Sequence, residues 1–197
     1  MKALHRQSKT AESWSGFSLV EVIVVLGVMT LILVMVVQIF MVSYDTYAKQ
    51  SARANNDSGI MLATRTISET ARGTLSVLTN KTVNGTNYAS SSNELVLALA
   101  AIDENGNIIE DETDYVAYYR DGLNPNAIFS DVEAAPGSYR TTGKKLVTNN
   151  NVTLTFRYDS QDLGQVRRIS IYLRNEQTVR TTTVKTEAWS SIFLHNR

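Results

Sequence analysis

The chain has no cysteine, only two histidines, His5 and His195, and only two prolines, Pro125 and Pro136, among 197 residues. Without cysteine there is no disulfide framework, no thiolate chemistry and no clue to redox compartment, so a folded domain must rest on its packing. The histidines are too few and too far apart in sequence for a histidine-based metal or proton-relay site, and any metal would need oxygen ligands. Net charge is also missing. Nineteen basic and nineteen acidic residues cancel, so the total gives no indication of nucleic acid or an anionic surface as partner. The balance is uneven along the chain: residues 1–16 hold Lys2, Arg6 and Lys9 against Glu12, and without them 16 basic and 18 acidic residues remain, a charge of −2. The length suits a membrane anchor plus one domain of roughly 100 to 130 residues.

What is present is one long apolar run. Of the 21 residues 17–37 only Ser18, Glu21, Gly27 and Thr30 are not strongly apolar, and as a helix the run is roughly 30 Å long, the thickness of a bilayer core. The basic residues before it predict an N-terminus held in the cytoplasm and a C-terminal part outside. A secretory signal peptide has a shorter apolar region and a small-x-small cleavage site beyond it; here Gln38, Ile39, Phe40 and Met41 follow, so a cut would precede the run. Residues 38–73 read as an amphipathic continuation of the helix, proline-free, with Ile39, Val42, Tyr44, Tyr47, Ile60, Leu62, Ile67 and Leu75 as its buried stripe and Gly73 as its stop.

Residues 74–197 predict an antiparallel β-rich head. A polar loop is expected at 79–93. A strand over 94–102 turns at Asn105-Gly106 into a strand over 115–119. Short strands are expected at 127–130 and 138–141. Strict alternation marks Val152–Tyr158 and then 166–173, with a bulge between Val166 and Ile169, and a run over 181–194 is expected to close the sheet. The fold class is therefore α+β: a long N-terminal helix, transmembrane in its first half, packed on an antiparallel sheet.

Glu21 is the residue that asks for an explanation. A carboxylate inside a bilayer costs about 2.5 to 3.5 kcal/mol even on a lenient scale, so it needs either a partner or a place at the membrane surface near the helix start. Its position in the first turn also suits the helix dipole. Asp103, Asn105, Asn107, Asp111 and Asp114 resemble a calcium loop in spacing, but Ile108 stands where that loop needs glycine, and a solvated hairpin accounts for them better. Ser190, Ser191 and His195 lack any nucleophile motif, and no enzyme activity or cofactor is indicated. Arg167, Arg168, Arg174 and Arg180 read as the solvated side of strands, and Tyr115, Tyr118 and Tyr119 as half-buried sheet positions.

The stretch Gly16-Phe17-Ser18-Leu19-Val20-Glu21 after a short basic leader resembles the type IV pilins and type II secretion pseudopilins. The stretch Tyr118-Tyr119-Arg120-Asp121-Gly122-Leu123, the two alternating strands and the closing Ile192-Phe193-Leu194-His195-Asn196-Arg197 are similar to the J-type minor pseudopilins and similar minor pilins. Two features depart from the family's major pilins: the mid-helix proline is absent, with Gln38 in that region, and so is the C-terminal cysteine pair.

The resemblance implies a leader peptide over 1–16, cleavage after Gly16 by a prepilin peptidase and methylation of the new N-terminal Phe17. It further implies pairing of Glu21 with the Phe17 amine of a neighbouring subunit. The partners it implies are other pilin or pseudopilin subunits, the peptidase, the inner-membrane assembly platform and the lipid bilayer. The protein would sit in the cytoplasmic membrane with its head outside the cytoplasm, and in a pilus or pseudopilus after assembly. The alternative from another class is a bitopic, membrane-anchored ligand-binding protein that does not polymerise.

Overall fold

The computed structural model describes residue 16 and residues 18–124, 126–149 and 152–194. The chain divides into two units, one ending at Thr46 and one spanning residues 47–197. Helix α1, Leu19–Arg72, contributes to both.

In the first unit every large apolar side chain from Leu19 to Val42 is between 44% and 77% exposed, so this half of α1 buries no stripe. Both threonine hydroxyls are satisfied within the helix: Thr30 Oγ1 donates to the Leu26 carbonyl at 2.8 Å and Thr46 Oγ1 to the Val42 carbonyl at 2.9 Å. That arrangement leaves few polar groups for the surroundings to satisfy, as a helix in lipid requires. It is one N-terminal helix long and apolar enough to cross a membrane.

The second unit is α+β, as expected. Thr74–Val77 (β1), Leu95–Ile102 (β4), Ile108–Arg120 (β5), Ile128–Glu133 (β6) and Gly143–Thr148 (β7) form an antiparallel sheet in the order β1-β4-β5-β6-β7. Val152–Tyr158 (β8), Arg168–Val179 (β9) and Thr182–Phe193 (β10) form a second, in the order β10-β9-β8. Asn80–Val83 (β2) and Thr86–Ala89 (β3) make a separate hairpin. One core unites residues of α1 with both larger sheets: Ile60, Ala63, Ile67 and Ala71 share it with Leu97, Val116 and Tyr118 and with Leu154, Ile171 and Leu173.

The helix stripe differs from the expected one. The buried positions are Ala52, Asn56, Gly59, Ile60, Ala63, Ile67 and Ala71, spaced by threes and fours. Ile39, Val42, Tyr44, Tyr47 and Leu62 are exposed, and Leu75 lies in β1. Apart from Ile60 and Ile67, the residues facing the sheets are small, and a small side chain allows the helix axis to approach the strands closely. The helix ends where Gly73 N donates to the Thr70 carbonyl at 3.2 Å.

Four other expectations need correction. Residues 79–93 are not a loop: Asn84 and Gly85 at φ 46° and 80° turn β2 into β3, which is the backbone a two-residue hairpin needs. That hairpin covers the second face of the five-stranded sheet, where Val83 and Tyr88 pack on Val96, Ala117 and Tyr119. β4, apolar on both faces, is thereby buried on both. No strand forms at 138–141; the chain forms β7 from Gly143 instead. Val166 belongs to the turn after the 3-10 helix Leu163–Gln165, not to a bulged strand. The final run does not close a single sheet, because β10 ends a separate three-stranded one.

The close helix–sheet approach predicts that Ala63→Leu, at a position with no exposed surface, lowers unfolding stability by about 1 to 3 kcal/mol through overpacking. Leu62→Ala, one residue away and 57% exposed, is expected to change it by less than about 0.5 kcal/mol. Denaturant unfolding of both variants in detergent checks the pair.

Candidate functional site

The helix start is built by its own sequence. Ser18 lies just outside α1, and its Oγ accepts a hydrogen bond from the Glu21 amide at 3.2 Å. The Ser18 carbonyl accepts the first intrahelical bond, from Val22 N, also at 3.2 Å. Ser18 is therefore the N-cap and Glu21 the third helical residue, the spacing of a capping box, in which an acid at that place suits the helix end. This role of Ser18 was legible in the Ser-x-x-Glu spacing and was missed beside the membrane argument. Glu21 is exposed, and it is the acid of the first turn. From Val22 to Tyr44 the sequence has no charged residue.

Gly16 is exposed, with nothing within 4 Å of where a side chain would begin. Phe17 lies outside the described residues, as do the leader residues 1–15, so of the expected processing site only Gly16 has a described environment. What the described geometry offers chemically is an open backbone at Gly16, a capped helix beginning at Leu19, and one carboxylate at the head of an apolar surface.

The calcium-like residues are parted. Asp103 holds the β4–β5 turn: its carboxylate accepts from Asn105 N at 2.9 Å, from Asn107 N at 2.8 Å and from Asn107 Nδ2 at 3.1 Å. Hydrogen bonds from Asn107, backbone before side chain, draw its pKa below the ordinary aspartate value. Asp114 has gone inside. It is fully buried and takes Ala135 N and Ser138 Oγ at 2.7 Å each. It also forms an ion pair with Arg140, whose guanidinium reaches the Ala100 carbonyl at 2.7 Å. Asp114 thus anchors the 134–140 connection to β5.

The tyrosines divide between faces. Tyr118 points to α1 and donates to Thr70 Oγ1 at 2.8 Å, and burial pushes its pKa up to about 12. Tyr119 faces the hairpin, 4.7 Å from the Tyr88 ring between centroids. Tyr88 in turn donates to the buried Asp131 at 3.0 Å. Ser190 and Ser191 pair with Ile171 and Ser170 on opposite faces of β10, so they cannot act together, and His195 lies outside the described residues. Arg174 is held by Glu176 and Glu187 on the outer face, while Arg167 and Arg168 are exposed.

Asp114→Asn is expected to cost about 3 to 5 kcal/mol, because it leaves Arg140 without its buried counter-charge. The loss should be the same with calcium or with chelator present, as read by thermal unfolding. No family model matches the chain, and no curated protein or solved structure does either.

Proposed function

We propose that this chain is a pilin-like subunit of the minor kind, cut after Gly16 and held in the cytoplasmic membrane by the apolar half of α1. Its β-rich part stands outside the cytoplasm, and the subunit is drawn into a pilus or pseudopilus by an assembly platform. The observation that carries this reading is the exposed apolar surface from Leu19 to Val42, which begins at a capped helix start with one acid in its first turn. Such a surface needs lipid or other apolar helices on every side, and a filament core of packed helices supplies the second as the membrane supplies the first. The open backbone at Gly16 supports access by a peptidase, since a residue without a side chain interferes least with an extended substrate. Cutting there exposes an amine at Phe17, four residues before Glu21. The work on this reading is assembly, with no catalytic step.

One observation favours the bitopic anchor instead. Glu21 is exposed in the first turn of α1, where a negative charge suits the positive end of the helix dipole, a local purpose that requires no second subunit.

Mass spectrometry of the membrane-extracted protein is expected to find an N-terminus at methylated Phe17; an intact Met1 supports the anchor. Glu21→Gln removes the charge and keeps the Ser18 cap, which uses only the backbone amide of residue 21. It is expected to leave cleavage and insertion unchanged while incorporation into filaments falls about tenfold or more, the effect of losing ~1.4 kcal/mol of pairing. Incorporation at the wild-type level would overturn the pairing of Glu21 with a neighbour's amine.

A further inference from the structure

In the second unit a cleft of about 550 Å³ lies between α1 and the end of β9. Six carboxamides line it: Asn55 and Asn56 of α1, Asn126 and Asn149 of two connections, and Asn175 and Gln177 of β9. Asn175 has no exposed surface, yet neither its Nδ2 nor its Oδ1 has a hydrogen-bond partner. The hydroxyl of Thr186, its neighbour across the β9–β10 ladder, is likewise buried without one. Asn56, 2% exposed, reaches only the Val184 carbonyl, at 3.5 Å. Buried polar groups are ordinarily satisfied, so an unpaired carboxamide in the lining of a cleft points to something that enters it.

The lining restricts what that is. Its one charged residue, Glu176, is already engaged by Arg174 and by Lys185 at 3.2 Å, so the cleft has no spare charge for an ion. Among the described residues that line it none is aromatic or a large aliphatic, which leaves no pocket for the side chains by which an extended peptide is read. Each carboxamide offers two N–H donors and one acceptor oxygen, a match for hydroxyl groups that both donate and accept. The volume falls within the range of small-molecule sites.

We infer that this cleft binds a short neutral saccharide, whose adjacent hydroxyls pair with the lining carboxamides and with Asn175 once its unpaired side chain turns into the cleft. The inference concerns the second unit alone and stands whether or not the chain assembles into filaments.

The full chain is purified in dodecylphosphocholine, which has no sugar headgroup. Saturation-transfer NMR is then run with glucose, galactose, mannose, N-acetylglucosamine and their neutral disaccharides, with glucuronic acid as the charged control. Transfer is expected to at least one neutral sugar and to be weaker for glucuronic acid. Asn175→Leu, close in volume, is expected to abolish that transfer while the thermal unfolding midpoint holds or rises, because it removes two unpaired atoms. The paired rim change Asn126→Ala with Gln177→Ala is expected to reduce transfer severalfold and serves as the test if leucine at 175 prevents folding. Absence of transfer to every neutral sugar overturns the inference, as does transfer that survives both sets of changes. A lowered midpoint for a folded Asn175→Leu, with transfer intact, assigns the cleft to structural water and overturns it as well.

Discussion

The second unit depends on how closely one helix can approach two sheets. Ala63, Ile67 and Ala71 have no exposed surface, and Ala52 and Ile60 have almost none. Alanine contributes little apolar area itself. Its contribution is to let Leu97, Val116 and Tyr118 of one sheet and Leu154, Ile171 and Leu173 of the other share one core with the helix, where close packing favours small side chains. A chain without cysteine has no covalent alternative to such contact, so the fold rests on this packing alone.

Around that contact the polar groups fasten pieces that burial alone would leave loose. Asn84 donates through its backbone to Glu133 at 2.9 Å and through its side chain to Asp131 at 2.7 Å, while Tyr88 reaches Asp131 from the other strand. The small β2–β3 hairpin, too short to be stable alone, is thus held on β6 at both strands. Lys144 joins Asp121 at 2.9 Å and lies 4.3 Å from the Phe129 ring centroid, tying β7 to the residues after β5. The two larger sheets meet through Phe156 N, which donates to the Ser92 carbonyl at 2.7 Å, and the Tyr158 hydroxyl, 3.0 Å from the carbonyls of Ser91 and Glu94. Each fastening joins segments far apart in sequence, and none has a local signature.

What could be read in advance follows from that distinction. Val152–Tyr158 was legible to the residue, because alternation over seven residues has one meaning when one face is buried. The end of α1 at Arg72 was legible from Gly73. Of the expected stripe Ile60 and Ile67 are buried, and the rest was misread because large apolar residues were weighed and alanine was not. Leu62 has the hydrophobicity but lies on the wrong arc, while Ala63 lies on the right one. The hairpin at Asn84-Gly85 carried the same turn signal as Asn105-Gly106 and was lost among the polar residues around it. The strand at Gly143–Thr148 and the inward turn of Asp114 could not be read, since both are decided by partners across the sheet: Ile128–Glu133 for the first and Arg140 for the second. At the helix start the residues were legible, and the cap was the part passed over.

Magnitudes separate the two purposes open to Glu21. A capping interaction contributes about 0.5 to 2 kcal/mol and an acid near the helix dipole about 0.3 to 1, whereas placing a carboxylate within the bilayer costs about 2.5 to 3.5. The helix dipole therefore accounts for an acid at the water-exposed rim of a membrane and falls short for one drawn inward. If α1 stays at the rim, as a simple anchor would, the local account is complete. If the helix is packed among other helices away from water, the shortfall must come from a cation, and the nearest one that cleavage after Gly16 creates is an amine at Phe17. On the proposed reading an amine from another copy would meet the carboxylate and leave the Ser18 bond, made by the Glu21 amide, in place. On that proposal the cap would act through the backbone, fixing the first turn from which the acid is presented to a neighbour.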